Sequence, residues 1–338
     1  MAVRALVEEC AGVEWHHERL GVPARGAAER GVDGSGHGPK VAQVTQRSQI
    51  GAMTNRLLRR RALGIAWCIA GLAVPSGAAQ GQRSPVWEAY AVRYATLPNF
   101  RVSGLIAGAD TARRLNIAMT VWLLRGPDGR NVLVDAGFKR ADLLARWKPV
   151  DFVRPDSAVA RAGVRASEVT DIIVSHIHWD HFDGADLFPN ARIWIQREEV
   201  EHHIDAAGTV LDRAIDAPDA AMLHALRSAG RLAFVNGDAK EIIPGITVYT
   251  GGKHTYQSQY ATVRTAEGTV VIASDNVYLY ENLEQHVPIA QTLDAVSNVA
   301  AQTRMLQLAS SPRLLVPGHD PAVFDRFPAV APGVVRIR

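Results

Sequence analysis

Residues 171–184 read DIIVSHIHWDHFDG. The first part, Asp171–Ser175, is a short apolar run of the kind that forms a strand buried on both faces. Four candidate metal ligands come directly after it: His176, His178, Asp180 and His181, all within six residues. Neutral imidazole suits borderline cations such as zinc, and a carboxylate adds a harder oxygen donor. Alternation along an extended strand exit sends His176 and His178 to one side. Asp180 and His181 are offset enough to serve a second ion. A polar loop of surface histidines is the plain alternative, but this spacing at a strand end is specific to metal centres.

Four ligands do not complete two sites, and further candidates lie after other expected strands. Tyr90–Ala95 and Ile117–Leu124 read as strands. Asn131–Val134 returns from the turn Gly126-Pro127-Asp128-Gly129 to make a hairpin. Arg140–Trp147 reads as a helix, Arg192–Ile195 as a strand, and a polar helical stretch starts at Glu198. Ile246–Thr250, Gln259–Thr265 and Thr269–Ser274 are expected strands; Leu293–Ala309 is a long helix and Arg313–Val316 a last strand. Hairpins at both ends imply antiparallel pairing, and two sheets with helices outside fit this order. His254 comes after the strand ending at Thr250, Asp275 ends VVIAS, and His319 sits in Pro-Gly-His-Asp. Each alone reads as a cap or turn residue. Their shared position at strand ends changes that weighing.

Together, the HxHxDH stretch, a later His, an Asp after an apolar strand and a C-terminal Gly-His resemble the metallo-β-lactamase superfamily. The resemblance covers about residues 87–328. Residues 274–290, SDNVYLYENLEQHVPIA, together with YAVRYATL at 90–97 and VLVDAG at 132–137, look like its N-acyl-homoserine lactonase branch. The resemblance implies an α/β fold: an αββα sandwich of two mixed β-sheets flanked by helices. It implies that His176, His178 and His254 hold one metal, that Asp180, His181 and His319 hold another, and that Asp275 bridges them. The cofactor would be two divalent metal ions, zinc by default. Tyr278 would hydrogen-bond the substrate carbonyl, although its aromatic neighbourhood leaves a core role open. Asp180 would pass a proton to the leaving alkoxide. One departure stands out: many members carry Pro-Gly after the third histidine, where this chain has Thr255-Tyr256-Gln257-Ser258.

Two cations sharing a water make hydroxide available at neutral pH, so no side-chain nucleophile is needed. The expected reaction is opening of a lactone ring, with N-acyl-homoserine lactones the expected substrate and small-molecule partner. Other hydrolases of the superfamily share such ligands. A bridging Asp275 argues against a zinc β-lactamase, and the segment after it favours a lactonase over a thioester hydrolase. His178 argues against a flavodiiron oxidoreductase, which wants a carboxylate there. A non-catalytic metal or ligand sink would be expected to have lost a ligand. Asp135 reads as support for the ligands, His202 and His203 as a solvated helix face, and Trp179 and Phe182 as packing beneath the ligand loop.

The chain has 338 residues, 47% of them hydrophobic and 21% charged, which is a globular profile. Residues 1–79 hold ten of the 37 Lys and Arg and six of the 34 Asp and Glu. The remainder therefore carries 27 basic and 28 acidic groups, with no basic footprint for nucleic acid. Both cysteines, Cys10 and Cys68, precede residue 80, which excludes thiolate catalysis and Cys-ligated zinc in residues 80–338. Residues 53–79 combine basic Arg56 and Arg59–Arg61, an apolar run and small residues Ser76–Ala79, the three parts of a secretory signal peptide. Periplasmic or secreted localisation is the expectation, with no stable membrane insertion after cleavage. Residues 1–52 read as an over-extended, disordered N-terminus, and 80–338 as one hydrolase domain. A homodimer is left open.

Overall fold

The structure, a computed structural model, describes residues 85–338. The expected signal peptide and over-extended N-terminus lie outside the described residues. From the N-terminal side come β1 (Glu88–Arg101), β2 (Arg114–Arg125), β3 (Asn131–Val134), α1 (Ala141–Trp147) and α2 (Pro155–Arg161). Next are β4 (Asp171–Ile173), α3 (Trp179–Phe182), β5 (Arg192–Gln196), α4 (Arg197–His203) and α5 (Ala217–Ser228). Then come β6 (Leu232–Val235), β7 (Lys240–Ile243), β8 (Ile246–Thr250), β9 (Gln259–Thr265) and β10 (Gly268–Ile272). The chain closes with α6 (Tyr280–Gln285), α7 (Ala295–Leu308), β11 (Leu315–Val316), α8 (Val323–Arg326), β12 (Ala329–Ala331) and β13 (Val334–Ile337).

The strands form two sheets, one of order β12-β13-β1-β2-β3-β4-β5-β6 and one of order β11-β10-β9-β8-β7. Both are mixed. β1 to β3 pair antiparallel, whereas β3 to β6 run parallel. β10 pairs antiparallel with β9 and parallel with β11. Period-two alternation assigns the faces. Val132 and Val134 of β3 join Trp122, Leu124 and Ile173 in a core shared with Val248, Ala261, Val263 and Ile272 of the other sheet. Leu133 and Ile172 point the opposite way, into a second core with Phe182, Val159 and Leu223. A third layer packs Ala301 and Met305 of α7 against Tyr260, Val271 and Leu315. Helix–sheet–sheet–helix is therefore the layer order, as the sequence led us to expect. Strands covered on both faces need uninterrupted apolar runs, and DIIV and VVIAS supply them.

α7 spans Ala295–Leu308 within the expected Leu293–Ala309, and Asp294 caps it by accepting the Ser297 amide at 3.0 Å. β11 is shorter than expected, because Pro312–Leu314 form a 3₁₀ turn in place of the strand's start. β6, β7, α5 and the closing hairpin β12–β13 were not anticipated. Among the described residues, no helix is long and apolar enough to cross a membrane.

Candidate metal centre

Five strand ends meet on one rim. Asp135 comes after β3, the His176–His181 stretch after β4, His254 just beyond β8, Asp275 after β10 and His319 after β11. Several ligand-bearing turns need a backbone in the left-handed region without glycine. Asp135, Lys253 and Ser274 have φ of 63°, 49° and 47°. Such conformations persist where the surroundings hold them, and here each adjoins or supports a ligand. Gly318 is required for another reason: a Cβ on it would lie 2.8 Å from the backbone of Ser274 and 3.0 Å from Asp275 Oδ1. Only glycine lets His319 approach Asp275 this closely.

The structure brings together all seven expected ligands. His178 Nδ1 lies 3.1 Å from His176 Nε2 and 3.0 Å from His254 Nε2. Asp180, His181 and His319 form a second group, with Asp180 Oδ2 3.4 Å from His181 Nε2 and 3.6 Å from His319 Nε2. Asp275 stands between them. Its Oδ1 is 3.2 Å from His181 Nε2 and 2.9 Å from His319 Nε2. Its Oδ2 is 3.4 Å from His254 Nε2 and 3.7 Å from His176 Nε2. Bond lengths of about 2.0–2.1 Å in a tetrahedral site put neighbouring ligand atoms roughly 3.3 Å apart, so these spacings fit two cations. His181 Nε2 and Asp275 Oδ1 are buried with no hydrogen-bond partner, as ligand atoms reserved for a cation would be.

Outer contacts fix the rings, as metal sites require. His181 Nδ1 pairs with Asp135 Oδ2 at 2.8 Å, His254 Nδ1 with the Gln291 carbonyl at 2.7 Å and His319 Nδ1 with the Ala118 carbonyl at 3.0 Å. His176 Nδ1 meets Ser175 Oγ at 2.9 Å. Asp135 also accepts the Ser175 amide and the Ser274 hydroxyl, both at 2.8 Å, and so has the supporting position expected of it. The sequence reading overlooked Glu199, Ser175, Ser274 and Gln291. Glu199 is fully buried, and its carboxylate accepts Thr255 Oγ1 and the Gln257 amide, both at 2.6 Å, and the Ile177 amide at 3.2 Å. A carboxylate thus staples the loop after His254, Thr255-Tyr256-Gln257-Ser258, to the HxHxDH loop.

Electrostatics divide the two groups. Burial drives His176 well below the ordinary imidazole value, with help from His181 and His254. Burial, reinforced by His254, takes His178 down to about 4. These rings stay neutral with lone pairs free for a cation. Burial also opposes charge on His181 and His319, but Asp275 and Asp180 outweigh it and raise both. The buried Asp275 is held well below the usual carboxylate range by His181 and His319, which overcome the cost of burial. Asp180 is lowered in the same way, chiefly by His181.

Above the centre lies a cavity of about 590 Å³. Its floor includes His178, Asp180, Asp275, Tyr278 and His319; its wall is largely apolar, with Leu97, Phe100, Ile117, Leu143, Trp147 and Trp179. Trp179 stacks on Trp147, ring centroids 5.1 Å apart and planes 12° apart. Trp179 therefore lines the cavity and is more than packing, while Phe182 is buried beneath the loop as expected. Tyr278 packs edge-on to His254 and also lines the cavity. One expectation fails. His202 is exposed but His203 is buried, because it turns inward between Glu199 and Asp212.

Residues 119–319 match the profile of the metallo-beta-lactamase superfamily. The chain belongs to that superfamily. The N-acyl homoserine lactonase AiiA of Bacillus thuringiensis subsp. kurstaki is 28% identical over 205 residues, which is 56% of this chain and 75% of the relative. An N-acyl homoserine lactonase of Bacillus cereus is 26% identical over 224 residues, 61% and 82% of the two chains. Among solved structures of this superfamily fold, a B. thuringiensis AiiA variant with N-decanoyl-L-homoserine at its active site aligns with a TM-score of 0.59 and 23% identity. That match covers 72% of this chain and 98% of the other. AidC, a dizinc quorum-quenching lactonase, aligns at a TM-score of 0.53 and 16% identity, over 75% and 95%. At these identities the structural likeness speaks for the fold.

Proposed function

We propose that this protein is a dinuclear metal-dependent hydrolase that opens the ring of N-acyl homoserine lactones and so quenches quorum signals. The observation that carries this reading is Asp275 spanning two ligand triads on the floor of a cavity with an apolar wall. The similarity to N-acyl homoserine lactonases supports the choice of substrate. His176, His178 and His254 would hold one ion and Asp180, His181 and His319 the other, with Asp275 shared. When bound, two divalent cations, zinc by default, supply Lewis acidity and a nucleophilic water at neutral pH.

The residues of the chain do the rest. Burial first, then Asp275 and Asp180, raises the Tyr278 phenol well above its ordinary value, so it keeps its proton. It donates a hydrogen bond to the lactone carbonyl and to the oxyanion that develops from it. Asp180, on the cavity floor, carries the proton to the ring oxygen as the C–O bond breaks. The alkoxide stays tethered to the acyl part, so a single addition of water gives a hydroxy acid. Leu97, Phe100, Leu143, Trp147 and Trp179 receive the acyl tail, whose burial gains about 0.8 kcal/mol per methylene.

The test is a substrate panel on metal-loaded protein: homoserine lactones of graded chain length, other lactones, a cephalosporin, a glutathione thioester and a phosphotriester. Dominant turnover of acyl homoserine lactones is expected; a dominant rate on a non-lactone overturns the reading. We also propose export. The support is the basic, apolar and small-residue succession of residues 53–79. N-terminal sequencing of protein from the periplasm or medium should begin near residue 79 or 80; a start within residues 1–52 would refute it.

A further inference from the structure

Outside the paired triads, the described residues hold one more group with metal-ligand geometry: His202, His203 and Asp212, whose ligand atoms lie within 4.8 Å of one another. His202 and His203 are the last residues of α4. Asp212 lies in the segment after it, where its Oδ1 accepts the Ala214 amide at 2.8 Å.

His203 is the informative member. It is 2% exposed, and neither ring nitrogen has a hydrogen-bond partner of good geometry. Nε2 lies 3.5 Å from Glu199 Oε1 and Nδ1 lies 3.3 Å from Asp212 Oδ1. A neutral imidazole carries one proton. If Nε2 directs it to the buried Glu199, the Nδ1 lone pair faces a carboxylate oxygen at 3.3 Å, and two lone pairs at that distance repel. Positive charge must fill the gap. The spacing matches the edge of a tetrahedral site, about 3.3 Å. Carboxylate, histidine and cation in series is the arrangement metal-binding histidines commonly adopt. His202 sits on the exposed side, stacked on Tyr256 at 4.0 Å, with a ring nitrogen already within 4.8 Å of the other two ligand atoms.

We infer that His202, His203 and Asp212 form a third divalent-cation site, of the zinc class, that clamps the segment after α4 to the helix. The chemistry of two imidazoles and one carboxylate, with room for water on the open side, fits such a cation. The clamp reaches the cavity in two directions. Arg213, Ala214 and Asp216 of the clamped segment line the cavity wall. Glu199, behind His203, holds the loops that carry His178 and His254.

The site needs no substrate to be tested, so its failure and that of the lactonase reading are separable. Purified protein is saturated with Zn2+ and the bound metal counted, then titrated calorimetrically and followed by hydrogen exchange. The parent should take up a third equivalent, and exchange across residues 204–216 should slow by tenfold or more as it binds. His202→Ala and Asp212→Asn should each remove that equivalent while two ions remain; the exposed His202 makes its variant a safe one for folding. Only two equivalents in the parent would mean that a proton alone fills the gap, and would overturn the inference. So would a third equivalent that both variants retain.

Discussion

Asp275 is the residue on which the two triads depend. Each of its oxygens faces a different group, and Oδ1 has no hydrogen-bond partner among the described residues. Replacing it removes the larger of the two anionic influences, Asp275 and Asp180, that raise both His181 and His319. We expect Asp275→Ala to lose at least one ion or most turnover, as metal analysis of the purified variant would report; two ions with full activity would contradict the bridging role. In the proposed mechanism Tyr278 meets the substrate from the cavity floor and holds no metal. Tyr278→Phe should keep both ions and lower kcat by roughly a hundredfold, the usual cost of removing one oxyanion donor. Steady-state kinetics at equal metal content checks this, and a change confined to stability would return Tyr278 to a core role. The residues that cluster at the strand ends were legible because metal chemistry restricts candidate residue types and spacing so tightly. His203 was not. Its neighbours Glu198, Glu199 and Glu201 suggested solvent, yet Glu199 and His203 share the inward face of α4 as an i, i+4 pair, which charge alone does not reveal.

At the scale of elements, strand ends place the chemistry and turns aim it. The β10 end and the β11 end must nearly touch for His319 to reach Asp275, and Gly318 is the contact. Gly318→Ala forces a methyl against the Ser274 backbone. We expect a loss of about 1–3 kcal/mol in stability and weaker binding of the Asp180–His181–His319 ion, read by denaturant unfolding and metal competition. Unchanged values for both would show that the turn yields. Strands with both faces covered announced themselves as DIIV and VVIAS. The β6 and β7 strands did not, since four-residue segments at a sheet edge carry little pattern, and LAFV and KEII lack clear alternation. The β12–β13 hairpin had a signal in Pro332-Gly333 between apolar residues, with φ of 73° at Gly333, but its short arms hid it. The loop after His254 was the least readable feature. Its shape is set by Glu199, more than fifty positions away in sequence.

For the whole molecule, stability should respond to pH through a cluster beside the ligand loop. Arg140 Nε lies 2.8 Å from Asp183, its Nη2 3.5 Å from Asp219, and it also pairs closely with Asp216. With Asp142 also 3.9 Å away, four carboxylates around one guanidinium leave a surplus. Burial first and Asp216 next push Asp219 up to about 8, against the pull of Arg140. Unfolded, it would titrate near 3.8. Between those values the folded chain binds the extra proton, so this group lowers stability as pH rises from about 4 to 8. Asp219→Asn should melt with the parent at the acid end of that window and at a higher temperature than the parent at pH 8. Parallel melting curves at both pH values would discard the assignment. Another consequence arises from where the cavity gets its surfaces. The floor is made by residues at the strand ends, whereas Leu97, Phe100, Leu143, Trp147 and Arg213 come from β1, α1 and the segment before α5. Trp179, set between His178 and Asp180, is the one wall residue carried by the ligand loop; substitutions in β1, α1 and the segment before α5 can therefore reshape the wall while leaving the floor's side chains in place.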